Sequence, residues 1–207
     1  MRRNPDYALT DPDAAKDLIR AFPWATMASA TPDGVVVSHY PFLLEESADG
    51  IVLVSHVGRP DERAHRLGES ELCVVFSGPS GYISPSWYGL PTAVPTWNFS
   101  TVHAYGVPEI LSDDENLAVL ERLVDRFEDP LPNPFRLRAT LENAAYAERI
   151  VHGTVGFRLR VTRFEGKDKM SQDKPDEVVE RIVAQLRAPG PYENPALAAR
   201  IESLRRA

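Results

Sequence analysis

The chain has 207 residues, of which 43% are hydrophobic, and carries a formal net charge of −7 at pH 7. These values fit one globular domain with appended helices. The acidic balance argues against a nucleic-acid partner, which needs a basic face, and the single cysteine excludes an internal disulfide and a cysteine-built metal site. Because the sequence opens without a signal segment and has no apolar run long enough to span a bilayer, we expect a cytoplasmic protein with no membrane partner.

The first part of the sequence predicts a helix followed by an antiparallel meander. The helix is expected over residues 11–21, with Thr10 as its N-cap. Strands are expected over residues 24–30, 35–44 and 51–57, because apolar and β-branched residues there are separated by the turn sequences TPDG and ADG. A meander of this kind is the usual start of a small β-barrel.

A short helix with an unusual histidine is expected next, over residues 60–67. Its apolar stripe consists of Ala64 and Leu67, three residues apart. His65 lies off that stripe, so we expect its ring not to fill the core beneath the helix, and Asp61, one turn earlier, could orient the ring. The alternative is a solvated, charged helix that carries an ordinary histidine.

Residues 78–106, with the sequence GPSGYISPSWYGLPTAVPTWNFSTVHAYG, form the most distinctive stretch of the chain. Its prolines restrict the backbone, which predicts a rigid loop rather than a helix or a free linker. Trp87, Tyr88 and Trp97 each combine a large apolar ring with a polar tip. Such a loop suits a planar ligand, and an aromatic-rich loop that covers a β core is the alternative interpretation.

Two strands are expected in the second half of the chain. The first covers residues 97–111 and bends near Gly106, and the second covers residues 155–162, where apolar and polar side chains alternate. The sequence GKDKMSQDKP follows the second strand. We interpret it either as a solvated basic turn or as a place where Lys167, Lys169 and Lys174 meet the phosphate or propionate groups of a ligand.

Four helices complete the prediction. They cover residues 112–127, 135–149, 175–186 and 194–206. Ser112 and Glu115 form a capping box at the start of the first of them, and Leu141 is expected on the buried face of the second. We divide the chain into a barrel domain with inserted helices, residues 1–170, and a helical extension of the same domain, residues 171–207.

The segments GPSGYISPSWY and VPTWNFSTVHAYG resemble the signature of the PaiB family, the FMN-binding negative transcriptional regulators. Weaker similarity runs from Pro5 to the GKDKMSQ segment. The resemblance implies an α+β fold, an antiparallel split β-barrel of the FMN-binding type with peripheral and C-terminal helices. It also implies a homodimer with a planar cofactor at the interface. The acidic charge gives no support to the DNA binding that the word regulator implies.

The segment RPDERAHRL stands where ordinary members of the family have a RANPQW-like stretch. In this respect the chain resembles the branch of heme-dependent piperazate synthases. That resemblance implies heme b as cofactor and His65 as the axial ligand of its iron, with His56 as the reserve candidate and Arg59 and Arg63 near the cofactor. It also implies that N5-hydroxy-L-ornithine is cyclised to L-piperazic acid with loss of water.

Further residues are candidates for the same site. The cofactor would also contact Trp87, Tyr88, Trp97 and Asn98. The base that removes a proton from the substrate amine would be Lys167, Lys169 or His103. Three alternatives remain. The first is an FMN-binding PaiB-like oxidoreductase or regulator, in which Lys167 and Lys169 hold the phosphate. The second is a heme-binding protein without catalytic activity, and the third is a heme-degrading role, as in related split barrels.

Overall fold

The computed structural model describes residues 4–206, except for the side chain of Arg206, and the chain divides into two compact units. The first unit consists of Met1–Leu18, Ser77–Val102 and Glu165–Ala207. The second unit consists of Ile19–Phe76 and His103–Phe164. The predicted division at residue 170 is untested by this arrangement and stays a prediction.

The described residues form ten strands and six α-helices. The strands are β1 (Ala8–Leu9), β2 (Trp24–Thr31), β3 (Gly34–Pro41), β4 (Leu43–Leu44), β5 (Val52–Gly58), β6 (Leu72–Ile83), β7 (Thr96–Gly106), β8 (Pro108–Ile110), β9 (Thr154–Arg160) and β10 (Arg163–Lys169). The helices are α1 (Pro12–Ala21), α2 (Arg59–His65), α3 (Asp113–Glu128), α4 (Leu141–Val151), α5 (Asp176–Arg187) and α6 (Pro195–Arg206). Within the described part of the chain, none of these helices is both long and apolar enough to cross a membrane.

Hydrogen bonds join the strands into two sheets. One has the order β1-β10-β7-β6-β2-β3 and the other has the order β4-β5-β9-β8. Pairing is antiparallel, for example between β2 and β3, which are joined by the tight turn at Gly34. Strand β3 is an edge strand of the first sheet, so its free side has no strand partner among residues 4–206.

The core of the second unit is built on aromatic contacts and on helix α3. Phe42 packs edge-on against Phe76 and Phe157, with ring centroids 5.7 and 5.8 Å apart. Helix α3 starts at the predicted capping box, in which the Ser112 and Glu115 side chains each bond the other residue's backbone N–H. The capping box is therefore confirmed, and it sets the register with which α3 buries its apolar face.

The core of the first unit is formed by the two C-terminal helices and the end of β6. The apolar side chains of α5 recur every three to four residues and are buried with those of α6. Their largest fully buried members include Ile83, Ile182 and Leu186. Gly81 allows α6 to approach β6, because a Cβ atom at this position would lie 2.9 Å from the Leu197 side chain.

The N-cap of α1 and the burial of Leu141 differ from the predictions. Asp11, rather than Thr10, caps α1, since its carboxylate accepts hydrogen bonds from the N–H groups of Asp13 and Ala14. Leu141, expected to be buried, is 92% exposed. Leu141 is the first residue of α4, and the buried face of this helix carries Ala147 and Val151 instead.

The close approach of Gly106, the last residue of β7, to the backbone of Arg160 can be tested by mutation. A Cβ atom on Gly106 would lie 2.4 Å from the carbonyl oxygen of Arg160, so we expect Gly106→Ala to lower the free energy of unfolding by about 3 kcal/mol. In the control Gly58→Ala, the new Cβ atom meets only Pro60, at 3.6 Å, and the expected loss is below about 1 kcal/mol. Urea unfolding measures both, and equal losses would contradict the close approach at Gly106.

Candidate functional site

His65 is the last residue of α2 and is 1% exposed. Its Nδ1 atom lies 2.7 Å from Ser29 Oγ of β2, and its Nε2 atom lies 3.0 Å from Ser38 Oγ of β3. The expectation that this ring stays out of the core is therefore wrong. The helix ends at His65 because Arg66 adopts the left-handed conformation, with φ 49°. The helix face that packs on the sheet carries His65, whereas Ala64 is exposed.

Helix α2 is attached to the edge strand β3 at two points. The Tyr40 hydroxyl donates to Asp61 Oδ2 at 2.5 Å, and Ser38 meets His65. Asp61 and His65 are four residues apart and share one helix face, while Ser38 and Tyr40 are two residues apart and share one strand face. Asp61 was expected to orient the imidazole, but the carboxylate accepts its hydrogen bond from Tyr40 and Ser29 contacts the ring instead.

Burial determines the charge of the His65 ring. It lowers the pKa of His65 below its usual value, although the carboxylate of Asp61 opposes this shift, so the imidazole is neutral near pH 7. A neutral ring carries one N–H. If Nδ1–H donates to Ser29, Nε2 keeps a lone pair that accepts a hydrogen bond from Ser38, and this is the form in which histidine binds metals.

The other candidates of the second unit lie in different environments. Arg59 donates from Nε to the carbonyl oxygen of His152 at 3.1 Å and pairs with Glu62, whereas Arg63 is exposed. His56, the reserve ligand, has its pKa lowered by burial. Its Nδ1 atom is buried and has no partner among the described residues. His103 lies half-buried in β7.

The aromatic residues of the first unit occupy two environments. Trp97 is 54% exposed and its ring lies 6.3 Å from that of Tyr82. Trp87 contacts Tyr192, a residue that was not predicted, at 5.9 Å. Tyr88 is instead buried in the core, and its hydroxyl has no partner in the described part of the chain. The predicted loop starts later than expected, because residues 78–83 continue strand β6.

The GKDKMSQ segment is only partly a turn: residues 166–169 are the end of strand β10, and residues 170–172 belong to the turn that follows it. Lys167 and Lys169 lie on β10, and each places its Nζ atom 5.9 Å from the ring of Tyr7. Lys169 also donates to the hydroxyl of Thr96. Burial lowers the pKa of Lys169, and Lys167 and Lys174 add to this effect while Asp173 opposes it. A lysine with a lowered pKa loses its own proton more easily than a free lysine. The neutral amine that results can accept a proton as a general base.

A buried carboxylate between these lysines was missed in the sequence. Asp168 is 6% exposed and accepts hydrogen bonds from Ser100 Oγ at 2.5 Å and from the guanidinium of Arg200 on α6. Next to it, Asn98 donates to Ser171 Oγ at 2.9 Å. One signal in the sequence could have found it. Side chains alternate between the two faces of a strand, so Asp168 points to the opposite face of β10 from Lys167 and Lys169. Asn98, predicted to contact the cofactor, is thus paired within the protein.

The predicted site residues are divided between the two units. The second unit contains His65, Arg59, Arg63, His56 and His103, and the first contains Trp87, Tyr88, Trp97, Asn98, Lys167 and Lys169. Residues 4–206 contain no group of three or more His, Cys, Asp or Glu side chains that could hold a metal ion. A heme iron requires only one such ligand, because the porphyrin supplies four nitrogens.

The antiparallel sheets and the six helices define an α+β split-barrel fold. Solved structures with this fold include the flavocytochrome Anf3 from Azotobacter vinelandii, which is 16% identical with a TM-score of 0.59 and covers 81% of this chain and 72% of that one. The FAD and heme binding protein from Mycobacterium smegmatis is 20% identical with a TM-score of 0.56, covering 86% of this chain and 80% of that one. The predicted fold is confirmed.

The family follows from the sequence comparison. The model of the family described as "Putative FMN-binding domain" matches residues 1–163, and the chain belongs to this family. The protease synthase and sporulation protein PAI 2 of Bacillus subtilis is 27% identical over 182 residues, which cover 87% of this chain and 86% of that protein. The PaiB-like assignment is therefore confirmed, and the assignment to the heme-dependent branch stays a prediction.

Removal of Arg200 tests the buried network. Arg200→Met leaves Asp168 buried with fewer partners, so we expect the free energy of unfolding to fall by roughly 3 kcal/mol. In the control Arg187→Met, the lost partner is Glu202, and the arginine side chain is 54% exposed, so the expected change is within about 0.5 kcal/mol. Both are measured by urea unfolding. Similar small changes in the two variants would show that Asp168 does not depend on Arg200.

Protonation of His65 should weaken the fold at low pH. Because burial lowers its folded-state pKa, the unfolded chain binds the proton more tightly. The stability contributed by the neutral ring is present above about pH 6.5 and is lost as the pH falls through the lower folded-state pKa. We expect the difference in unfolding free energy between the wild type and His65→Asn to shrink between about pH 7.5 and about pH 5. His56 is common to both proteins, so its own titration cancels. A constant difference would contradict the lowered pKa.

Proposed function

We propose that the chain binds heme b through His65 and converts N5-hydroxy-L-ornithine to L-piperazic acid. The observation that carries the heme assignment is the buried imidazole, whose Nδ1 atom lies 2.7 Å from Ser29. A hydrogen bond to the nitrogen that does not bind the metal is a regular feature of histidine ligands, because it fixes the tautomer and the ring orientation. The choice of substrate rests on the resemblance of the RPDERAHRL segment.

The residues around His65 fit an axial ligand. Iron binding at Nε2 would replace the hydrogen bond with Ser38, which is partly buried, whereas Ser29 would keep its contact with Nδ1. Helix α2 would remain attached to β3 through Tyr40 and Asp61. When bound, heme would supply an iron centre that polarises the N–O bond of the substrate.

The side chains of the protein must meet the other requirements of the reaction. In the reaction the α-amine nitrogen attacks the hydroxylated nitrogen, the N–N bond forms, the N–O bond breaks and water leaves. The α-ammonium group must first lose a proton. Burial lowers the pKa of Lys169, one of the predicted bases, which favours the neutral amine that this step needs. The flexible substrate must also be held in a folded conformation, since ring closure depends on orientation.

A homodimer with the cofactor at its interface is part of the proposal. The edge strand β3 exposes Val35 and Val37, which are 74% and 53% accessible. An exposed apolar edge of a sheet is commonly covered by another chain. We expect a dimer at micromolar concentration, and a location in the cytoplasm remains part of the same proposal.

FMN is the second candidate cofactor, and the family description favours it. In that case Lys167 and Lys169, which lie together on one side of β10 beside Tyr7, would meet the FMN phosphate. The visible absorption spectrum of the purified protein separates the two cofactors. A Soret band supports heme, a yellow chromophore absorbing blue light supports FMN, and a protein that binds neither contradicts both.

Replacement of the proposed ligand tests the heme assignment. In His65→Ala we expect the loss of at least about nine-tenths of the bound heme and of piperazate formation, because the single protein ligand of the iron is removed. Added imidazole should restore part of the Soret absorption. The control is His152→Ala, which removes an exposed histidine and should leave heme content and activity unchanged.

The possible results separate binding from catalysis. Full heme occupancy with an unchanged spectrum in His65→Ala would mean that His65 is a structural histidine. Heme loss in His65→Ala together with no conversion of N5-hydroxy-L-ornithine by the wild type would support a heme-binding protein and contradict the proposed reaction. Mass spectrometry detects the reaction as the loss of one water molecule from the substrate.

A further inference from the structure

Three aromatic rings of the first unit line one cavity. Tyr82, Trp97 and Tyr192 line a space of about 410 Å³, together with Leu186, Pro191 and Glu193. The ring planes of Tyr82 and Trp97 are inclined by 63°, and those of Tyr82 and Tyr192 by 39°. Trp87 packs against Tyr192 at 67°. We call these four rings the aromatic cage. Because the planes are inclined, the three lining rings form walls around the space rather than a single stack, and Trp87 supports Tyr192 without lining the cavity.

The cage has the size and the rigidity of a small-molecule site. A volume of about 410 Å³ lies in the range of ligand pockets. Asn194 fixes the segment that carries Tyr192, since its side chain donates to the carbonyl oxygen of Ser80 at 2.9 Å and accepts from the N–H of Leu197 at 3.1 Å. The cage is therefore held in place by both β6 and α6.

The protein's own cations lie over other rings. Lys167 lies over Tyr7 and Phe99, and Lys174 lies over Tyr88. Among the described side chains, which end at Arg205, no lysine or arginine lies over any of the four rings of the cage. Glu193 is among the residues that line the cavity, and its carboxylate forms no ion pair with a described residue.

We propose that the aromatic cage binds an organic ammonium ion, of the quaternary or N-methylated class. The faces of tryptophan and tyrosine attract cations, and walls of such rings are the usual site for ammonium ions whose methyl groups prevent strong hydration. Glu193 adds a negative charge at the same cavity. This inference stands on the geometry of the first unit alone and does not depend on heme or on the proposed reaction.

Choline and its neutral isostere 3,3-dimethyl-1-butanol form a matched pair of probes, because they differ mainly in charge. We expect choline to bind the purified full-length chain at least about tenfold more tightly than the alcohol. Tryptophan fluorescence and isothermal titration calorimetry follow the binding. Equal affinity for the two probes, or no saturable binding of choline, would overturn the proposal.

Variants of the C-terminal segment connect the binding to the cage. Tyr192→Leu removes one aromatic wall and should weaken choline binding about tenfold, and Glu193→Gln should weaken it about threefold. Tyr192→Phe keeps the ring and is the control, with a change of no more than about twofold. Circular dichroism and thermal unfolding check that each variant is folded. A folded Tyr192→Leu variant with the affinity of the wild type would contradict the assignment.

Discussion

Two buried polar side chains of this fold, His65 and Asp168, meet partners inside the protein, because water does not reach them and an unpaired group is costly. In the second unit His65 meets hydroxyls of Ser29 and Ser38. In the first unit Asp168 meets Ser100 and Arg200. Each of these contacts joins elements that are distant in sequence. The pairing of buried polar groups therefore fixes α2 on the β2–β3 hairpin and α6 on β10.

The same constraint explains how one histidine can be both well packed and chemically useful. Burial keeps the imidazole neutral, and the hydrogen bond with Ser29 holds the ring in one orientation. Both conditions favour metal binding. The hydrogen bond between Tyr40 and Asp61 gives α2 a second attachment. His65 is thus not the sole anchor of its helix, and its Nε2 atom can exchange one partner for another without detaching α2.

Membership in the FMN-binding family explains the aromatic segment only in part. Trp87 and Trp97 belong to the motif by which the family is recognised, whereas Tyr192 and Glu193 lie beyond residue 163, where the family match ends. The aromatic cage requires both segments. The C-terminal residues therefore supply part of a cavity, in addition to covering the core of the first unit.

The local sequence pattern was sufficient to predict the elements that depend on residues close together in the chain. The capping box of α3, the alternating strand β9 and the apolar face of α5 follow from spacings of two to four residues, which the sequence shows directly. The contacts of His65 and Asp168 depend on residues 27 to 68 positions away. A periodic pattern shows which face of an element is apolar, but not which element packs on that face. For this reason only the tertiary structure decided that His65 is buried, that Asp61 is bonded to Tyr40, and that Tyr192 completes the aromatic cage.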